Sequence, residues 1–357
     1  MNITVDCRCI DSSGIGVYLR GCLPCFLASD NHFFLVGDAG KLEPIISGRK
    51  NAGLIDCSSK PFSFGELFFF PANCLSKINK TDVYYSPFIN IPRGIKVPVF
   101  TTIHDIIFPD MPHLISRAGL AARMWFFRRA YKKSKKIFTV SAFSKSRIEH
   151  HLGTARPVIV THSAVHPDFS AYINGRESIQ KKQTIVFIGN IKKHKGLDTL
   201  LDAFLLAKND GLPHKLLIIG SKENFRTTDN DITRKIASVD PDAVSFSGFI
   251  SGGQLMECLA QASLLVQPSL YEGFGLPPLE AMVLGTPALI TDIPVFREIY
   301  EGYPVTFFKA GDVENLKMKL MKLLFNKEAP ELRLPEVLSS RYTFEKTASI
   351  ILQELLP

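Results

Sequence analysis

Short apolar runs recur along the chain, each followed by a polar turn and then a stretch with helical spacing of its apolar residues. Ile3–Val5, Phe33–Val36, Val83–Tyr85, Val97–Ile103, Ile137–Val140 and Val158–Thr161 form one such series. A second begins at Thr184–Gly189 and continues through Leu216–Gly220, Val244–Ile250 and Leu264–Val266. Continuous rather than alternating apolar runs predict strands covered on both faces, as in a parallel sheet. Pro87, Pro92 and Pro98 mark loops in the first series. The polar stretch from Asn174 to Gln183 reads as a linker. Two βα series joined by a polar bridge predict an α/β protein of two doubly wound domains, which suits a length of 357 residues.

The chemistry sits where these strands end, the usual place for ligands in open α/β sheets. After Leu264–Val266 comes Ser269-Leu270-Tyr271-Glu272-Gly273-Phe274-Gly275-Leu276-Pro277-Pro278-Leu279-Glu280-Ala281-Met282. Its glycines let backbone approach a ligand, and Pro277 and Pro278 suit a first helical turn. Glu280 opens an amphipathic run that Gly285 and Pro287 end. Such a corner attracts phosphate through its amides, yet it carries two carboxylates, Glu272 and Glu280. Carboxylates repel phosphate and accept from hydroxyls, so the implied ligand is a diphosphate with hydroxyls on both sides, a nucleotide sugar. The competing reading is that both glutamates cap a helix.

A second such stretch is Gly189-Asn190-Ile191-Lys192-Lys193-His194-Lys195-Gly196, where ammonium groups stand beside a helix start and suit a diphosphate. Otherwise it is a solvated lysine cluster. A third is Ser12–Tyr18, with Gly14 and Gly16 between strand and helix; a lone G-x-G is a weak signal. His104-Asp105 ends the strand Val97–Ile103, and Ser141 is a helix N-cap with Ser144 three residues on.

These residues together resemble the GT4 family of retaining glycosyltransferases. The likeness rests on the E-x7-E of Glu272 and Glu280 within P-S-x-x-E-G-F-G-L-P-x-x-E-A-M, on His104-Asp105 followed by Pro109, on Val140-Ser141-x-Phe143-Ser144 and on Lys195-Gly196. It spans nearly the whole chain, is strongest from Ile185 to Glu298 and is thin from Phe33 to Asp82. The resemblance implies the GT-B arrangement, two Rossmann-like domains facing a cleft with a C-terminal helix crossing back to the first. The domains would be 1–172 with 339–357, binding acceptor, and 183–338, binding the nucleotide sugar. By position, Glu272 would hold sugar hydroxyls, Glu280 the ribose, Lys195 the diphosphate and His104 the donor sugar, with Glu272, His104 and Lys195 the catalytic set. Gly273, Phe274, Gly275 and Leu276 would line the diphosphate, with Gly14 and Gly16 closing over it and Phe249 and Ile250 holding the base by backbone. Asn190 stands where many members carry arginine, and Val17 where arginine or asparagine is frequent.

Composition narrows the picture. At 46% hydrophobic and 21% charged residues the chain is too apolar for disorder, and no apolar run is long enough for a membrane span. Met1–Asp6 lacks the basic and apolar regions of a signal peptide, so the expected compartment is the cytoplasm. Seven cysteines in that setting predict free thiols, with Cys22 and Cys25 on one helix face, although four thiolates with Cys7 and Cys9 could cage zinc. Asp229-Asn230-Asp231 and Asp240-Pro241-Asp242 look like metal-binding D-x-D but lie among polar residues, so they read as caps and no metal or cofactor is expected.

The net charge of +8 is concentrated. Arg117 to Arg147 holds ten Lys or Arg and no acid, interleaved with Trp125, Phe126, Phe127 and Tyr131. This predicts a basic aromatic helix, 117–136, lying on the inner face of the cytoplasmic membrane. A solvated face of a core helix is the alternative, and no motif supports a nucleic-acid partner. The expected activity is transfer of a hexose, mannose from GDP-mannose in the first instance, to a lipid-linked saccharide in O-antigen or capsule assembly. The alternatives are an inverting GT-B enzyme or sugar-nucleotide epimerase, and a non-catalytic nucleotide-sugar-binding scaffold.

Overall fold

A computed structural model describes residues 1–61, 63–174, 179–220, 235, 239–248, 250–326 and 340–355. The chain divides into two compact units, Met1–Ala164 with Tyr342–Pro357, and Val165–Arg341. Residues 165–172, expected at the end of the first domain, fall with the second, where they begin the helix Pro167–Asn174.

The first unit holds seven parallel strands: β1 (Asn2–Asp6), β2 (His32–Gly37), β3 (Ala52–Asp56), β4 (Val83–Ser86), β5 (Val99–Thr102), β6 (Ser134–Thr139) and β7 (Val158–Val160). They lie in the order β3-β2-β1-β4-β5-β6-β7. The order reverses between β1 and β4, whose registers pair Ile3 with Val83 and Val5 with Tyr85. Every residue of β4 and β5 is buried, because helices cover both faces. Tyr84, Ile103, Phe127, Ile137 and Ile148 share one apolar cluster of this core. The C-terminal helix Phe344–Leu355 belongs to this unit. It packs on the helix Ser13–Leu27 at Gly21, where any Cβ would meet the Phe344 ring at 2.2 Å. Thr347 donates to the Thr161 carbonyl and Lys136 to Glu354, at 2.9 and 2.7 Å.

The second unit holds six parallel strands: β8 (Thr184–Ile188), β9 (Lys215–Ile219), β10 (Val244–Gly248), β11 (Leu264–Gln267), β12 (Ala288–Thr291) and β13 (Thr306–Phe308). Their order is β10-β9-β8-β11-β12-β13, so the reversal falls between β8 and β11. Ile185, Phe187, Leu200, Phe204 and Leu289 centre its core.

The basic helix differs from expectation in extent and facing. It runs Arg117–Lys133, and residues 134–136 open β6. Phe127, Ala130 and Tyr131 share one face and are buried, so the inward side is packed core. The outward side carries Arg117, Ala118, Ala121, Ala122, Trp125, Arg128 and Lys132.

Candidate functional site

Lys195 and Glu272 meet at the sheet reversal of the second unit. Lys195 ends the 3-10 turn Lys193–Lys195 that follows β8, and Glu272 lies in the turn that follows β11. The Lys195 Nζ donates to Glu272 Oε1 and Oε2 at 2.7 and 2.8 Å. Ser269 Oγ donates to Glu272 Oε1 at 2.7 Å, and Gln267 Nε2 lies 3.0 Å from the Ser269 Oγ that it donates to. Burial alone would raise the Glu272 pKa. The Lys195 charge and the hydrogen bonds from Lys195 and Ser269 outweigh it and hold the carboxyl below its ordinary value, so it is a carboxylate.

Backbone contact between the two loops sets this geometry. Leu270 N donates to the His194 carbonyl at 2.8 Å. Gly196 is left-handed at φ 66°, and a Cβ there would lie 2.0 Å from the Pro268 carbonyl oxygen. Only glycine allows this approach at this φ. Burial and then the Lys195 charge lower the His194 pKa to about 4, so His194 is neutral.

Gly275 anchors the other side of the corner. Its φ is 83°, and a Cβ would strike the Phe296 ring at 2.3 Å. Tyr300 Oη donates to the Gly275 carbonyl. Phe296 and Tyr300 come from the helix Pro294–Tyr300, which therefore fixes the turn from below. The amides of Gly275 and Leu276 have no acceptor among the described residues. Glu280, in the helix Pro277–Val283, is 9% exposed, and its carboxyl likewise has no hydrogen-bond partner among the described residues. Burial raises its pKa to about 7. Burial above all, with smaller contributions from the charges of Glu280 and Glu272, raises the Tyr300 phenol well above its ordinary pKa.

The sequence-predicted residues divide between the units. Lys195, Glu272, Gly273, Phe274, Gly275, Leu276 and Glu280 share the corner just described; Asn190 and Ile250 are half-buried beyond β8 and β10. Phe249 and Asp229-Asn230-Asp231 lie outside the described residues. His104, Gly14 and Gly16 belong to the first unit. The His104 Nε2 lies 2.9 Å from the Pro87 carbonyl, an acceptor, so that nitrogen carries the proton. Burial holds its pKa at about 4. Gly14 and Gly16 are inside the first turn of the helix Ser13–Leu27, not in a loop before it. The Gly16 amide, expected to face a diphosphate, donates to the Ser12 carbonyl at 2.5 Å, and its missing Cβ makes room for the Ile10 carbonyl. Among the described residues no three His, Cys, Asp or Glu group as metal ligands, and all seven cysteines are free thiols. In the Asp240-Pro241-Asp242 segment, Asp240 Oδ1 accepts from the Asp242 amide at 2.9 Å, a local turn.

Gln267, Ser269, His194, Phe296 and Tyr300 support this site and carried no role in the sequence reading. Pro268-Ser269 within the matched stretch and Phe296 after Asp292 were the available signals.

Comparison with known proteins identifies the family and the fold. The family described as Glycosyl transferases group 1 matches residues 169–334, and that described as Glycosyltransferase Family 4 matches residues 80–169. The chain belongs to the GT4 glycosyltransferases. Among GT4 relatives, mannosylfructose-phosphate synthase of Agrobacterium fabrum is 32% identical over 39% of this chain and 32% of its own length. O-antigen chain mannosyltransferase B of Escherichia coli is 26% identical over 62% of this chain and 59% of its own. The matched stretches therefore cover between about a third and three-fifths of those two relatives. Among solved structures, Anabaena HepE in complex with UDP-glucose superposes with a TM-score of 0.73 at 16% identity, covering 99% of both chains. Sucrose-phosphate synthase from Thermosynechococcus elongatus gives 0.71 at 16% identity, covering 99% of this chain and 98% of that one. This GT4 chain thus has the two-domain α/β GT-B fold. No described helix is long and apolar enough to cross a membrane.

Proposed function

We propose that this GT4 protein transfers a hexose, mannose first among candidates, from a nucleoside diphosphate sugar to a lipid-linked saccharide in surface polysaccharide assembly, with retention at the anomeric carbon. The observation that carries the reading is the second-unit corner. There an ammonium, a carboxylate held ionised, two amides without acceptors and a second, unpartnered carboxyl surround one turn. In the reaction the bond from C1 to the β-phosphate oxygen breaks and its electron pair leaves with the diphosphate. The acceptor oxygen bonds to C1, and its proton passes to the departing phosphate. Lys195 and the Gly275 and Leu276 amides stabilise the charge that develops there. Glu272 accepts from sugar hydroxyls and Glu280 from ribose hydroxyls. Before donor arrives, Lys195 and Glu272 satisfy each other, which keeps both in place.

The mannose and O-antigen assignments draw support from the names of the matched mannosyltransferases. The outward stripe of Ala118, Ala121, Ala122 and Trp125, flanked by Arg117, Arg128 and Lys132, suits an anionic membrane surface. Flotation with vesicles containing anionic lipid checks this docking, which Trp125→Ala should weaken. Activity is tested by measuring donor turnover across GDP-, UDP- and dTDP-sugars. GDP-mannose should be consumed, and Glu272→Gln should lower kcat/KM by about 10²–10³. Turnover of only UDP- or dTDP-sugars would remove mannose from the proposal; an undiminished Glu272→Gln would remove the site.

A further inference from the structure

Among the described residues two buried side-chain amides keep an oxygen that no donor reaches. One is Asn90 of the first unit, whose Nδ2 donates to Glu66 Oε2 at 2.5 Å; the other is Gln267, the last residue of β11. A buried amide oxygen without a donor is destabilising, and a fold that keeps one calls for a reason. The surroundings of Gln267 supply one.

Gln267 Nε2 donates to Ser269 Oγ at 3.0 Å and also faces Glu272 Oε1 at 3.4 Å. A carboxylate only accepts, so the NH₂ side of the amide must face it and the oxygen must turn the other way. The opposite orientation would set an oxygen against the carboxylate. It would also offer the Ser269 hydroxyl a competing acceptor. With Nε2 inward, Ser269 Oγ receives one hydrogen bond and has a single proton to give, which goes to Glu272 Oε1 at 2.7 Å. The bonds therefore run one way, from Gln267 to Ser269 to Glu272.

Backbone holds this line in place. Thr291 Oγ1, at the end of β12, donates to the Ser269 carbonyl at 2.6 Å, and Leu270 N donates to the His194 carbonyl at 2.8 Å. Gln267 and Ser269 are both buried, so their bonds to Glu272 lie on its closed side. The Lys195 ammonium, the other partner of Glu272, belongs to a part-exposed side chain. On the glycosyl-transfer reading Lys195 turns to the diphosphate when donor binds, and Glu272 must then share its cation. The other titratable groups around Glu272 do not replace that charge. His194, beside Lys195, is neutral. Tyr300 is a phenol whose pKa burial raises further, and Glu280 is itself an acid. Glu280 also shows the direction in which burial drives a carboxyl that has no partner, upward. What stays with Glu272 is the Ser269 hydroxyl.

We propose that Gln267 and Ser269 are positioning residues, a one-way hydrogen-bond relay that keeps Glu272 an oriented carboxylate after the donor diphosphate has drawn Lys195 toward itself. The proposal rests on the glycosyl-transfer reading and adds two residues that act on the sugar only through Glu272.

The test uses the full chain and its Ser269→Ala, Ser269→Thr and Gln267→Met variants, with the nucleotide sugar that the unaltered chain turns over. The acid limb of kcat reports the donor complex, and that of kcat/KM the free protein. Losing a hydrogen bond to a carboxylate favours its protonated form, so both limbs should move to higher pH in Ser269→Ala. The kcat limb should move more, because Lys195 still neutralises Glu272 in the free protein. At pH 6, kcat should fall by about tenfold. Ser269→Thr keeps the hydroxyl and should restore the wild-type limb, and Gln267→Met should move it as Ser269→Ala does, by less. A loss of kcat that is equal at every pH, or a kcat limb that stays in place, would overturn the relay. Carbon-13 titration of Glu272 in the unaltered chain saturated with UDP or GDP keeps the test open if the variants misfold. Glu272 should stay a carboxylate from pH 8 to 6, and protonation within that span would overturn the relay. An unaltered chain that turns over no nucleotide sugar, yet whose Glu272 titrates at lower pH than in Ser269→Ala, would remove the glycosyl-transfer reading and leave the relay standing.

Discussion

In the second unit one ammonium faces one carboxylate, Lys195 and Glu272, with 21% and 10% of their side chains exposed. In the first unit one guanidinium serves two carboxylates, Arg8 with Asp6 and Glu66, at 2%, 7% and 0%. Both clusters stand where a sheet reverses its strand order, so topology alone does not tell them apart. Exposure does. Four of the five N–H groups of Arg8 are taken inside the protein and its side chain is closed from solvent, whereas Lys195 and Glu272 keep a solvent-facing side at which, on the proposed function, a ligand would give each a new partner. The same fold position thus holds a closed cluster in one unit and a partly open pair in the other.

The largest expected effect separates these roles. Arg8→Met leaves two carboxylates buried without their cation and should cost about 3–5 kcal/mol, read as a lower urea midpoint. Lys195→Met should cost less, because Glu272 keeps the Ser269 hydroxyl, but it should abolish most donor turnover. Equal losses of stability in the two variants would break the comparison.

The two clusters also differ in how far the sequence revealed them. Lys195, Glu272 and Glu280 stood out because glycines, prolines and acids crowd short segments next to strands. Asp6, Arg8, Glu66 and Asn90 come from three separated segments, Arg8 and Glu66 being 58 residues apart, so no spacing announces them. Strand β3, Ala52-Gly53-Leu54-Ile55-Asp56, escaped notice because it sits at the sheet edge and only Ile55 is buried. The basic helix showed its charges plainly. Its inward Phe127, Ala130 and Tyr131 follow the i, i+3, i+4 spacing of a packed face, and the charge excess obscured it. Gly16 fitted a phosphate-turn pattern, yet the Ile10 carbonyl, six residues back, is what requires a glycine there.

Titration sharpens the contrast between the two acids of the second-unit corner. The Glu280 pKa is raised from 4.5 to about 7, so the folded state holds its proton more tightly than the unfolded chain does. Its favourable contribution is complete below about pH 4.5, declines as pH rises toward 7 and is gone above that, a span of roughly 3 kcal/mol. Glu272 is lowered instead, so its contribution is present above the ordinary carboxylate pKa and is lost as pH falls through its folded value. Unfolding free energies from pH 4 to 8 should show Glu280→Gln gaining on wild type as pH rises, while Glu272→Gln gains only as pH falls. Parallel profiles for the two variants would show that Glu280 is not buried without a partner.

The smallest effects come from the glycines of the two strand-to-helix turns. After β8, Gly196 has both a left-handed φ and no space, its Cβ position lying 2.0 Å from backbone. Alanine there must separate the loops that hold Lys195 against Glu272, at a cost on the order of 1–3 kcal/mol. After β1, Gly16 has no space either, at 2.2 Å from the Ile10 carbonyl, but Gly14 has nothing within 4 Å and no positive φ. Gly14→Ala should therefore stabilise by at most roughly 0.5 kcal/mol, the low end of the mid-helix difference between the two residues, because Gly14 lies in the first turn. If Gly14 is instead needed so that backbone can reach a diphosphate, the same variant will gain in thermal stability and lose in donor KM. Melting curves and donor kinetics on that one protein decide whether the first unit's turn is glycine-rich for its helix or for its ligand.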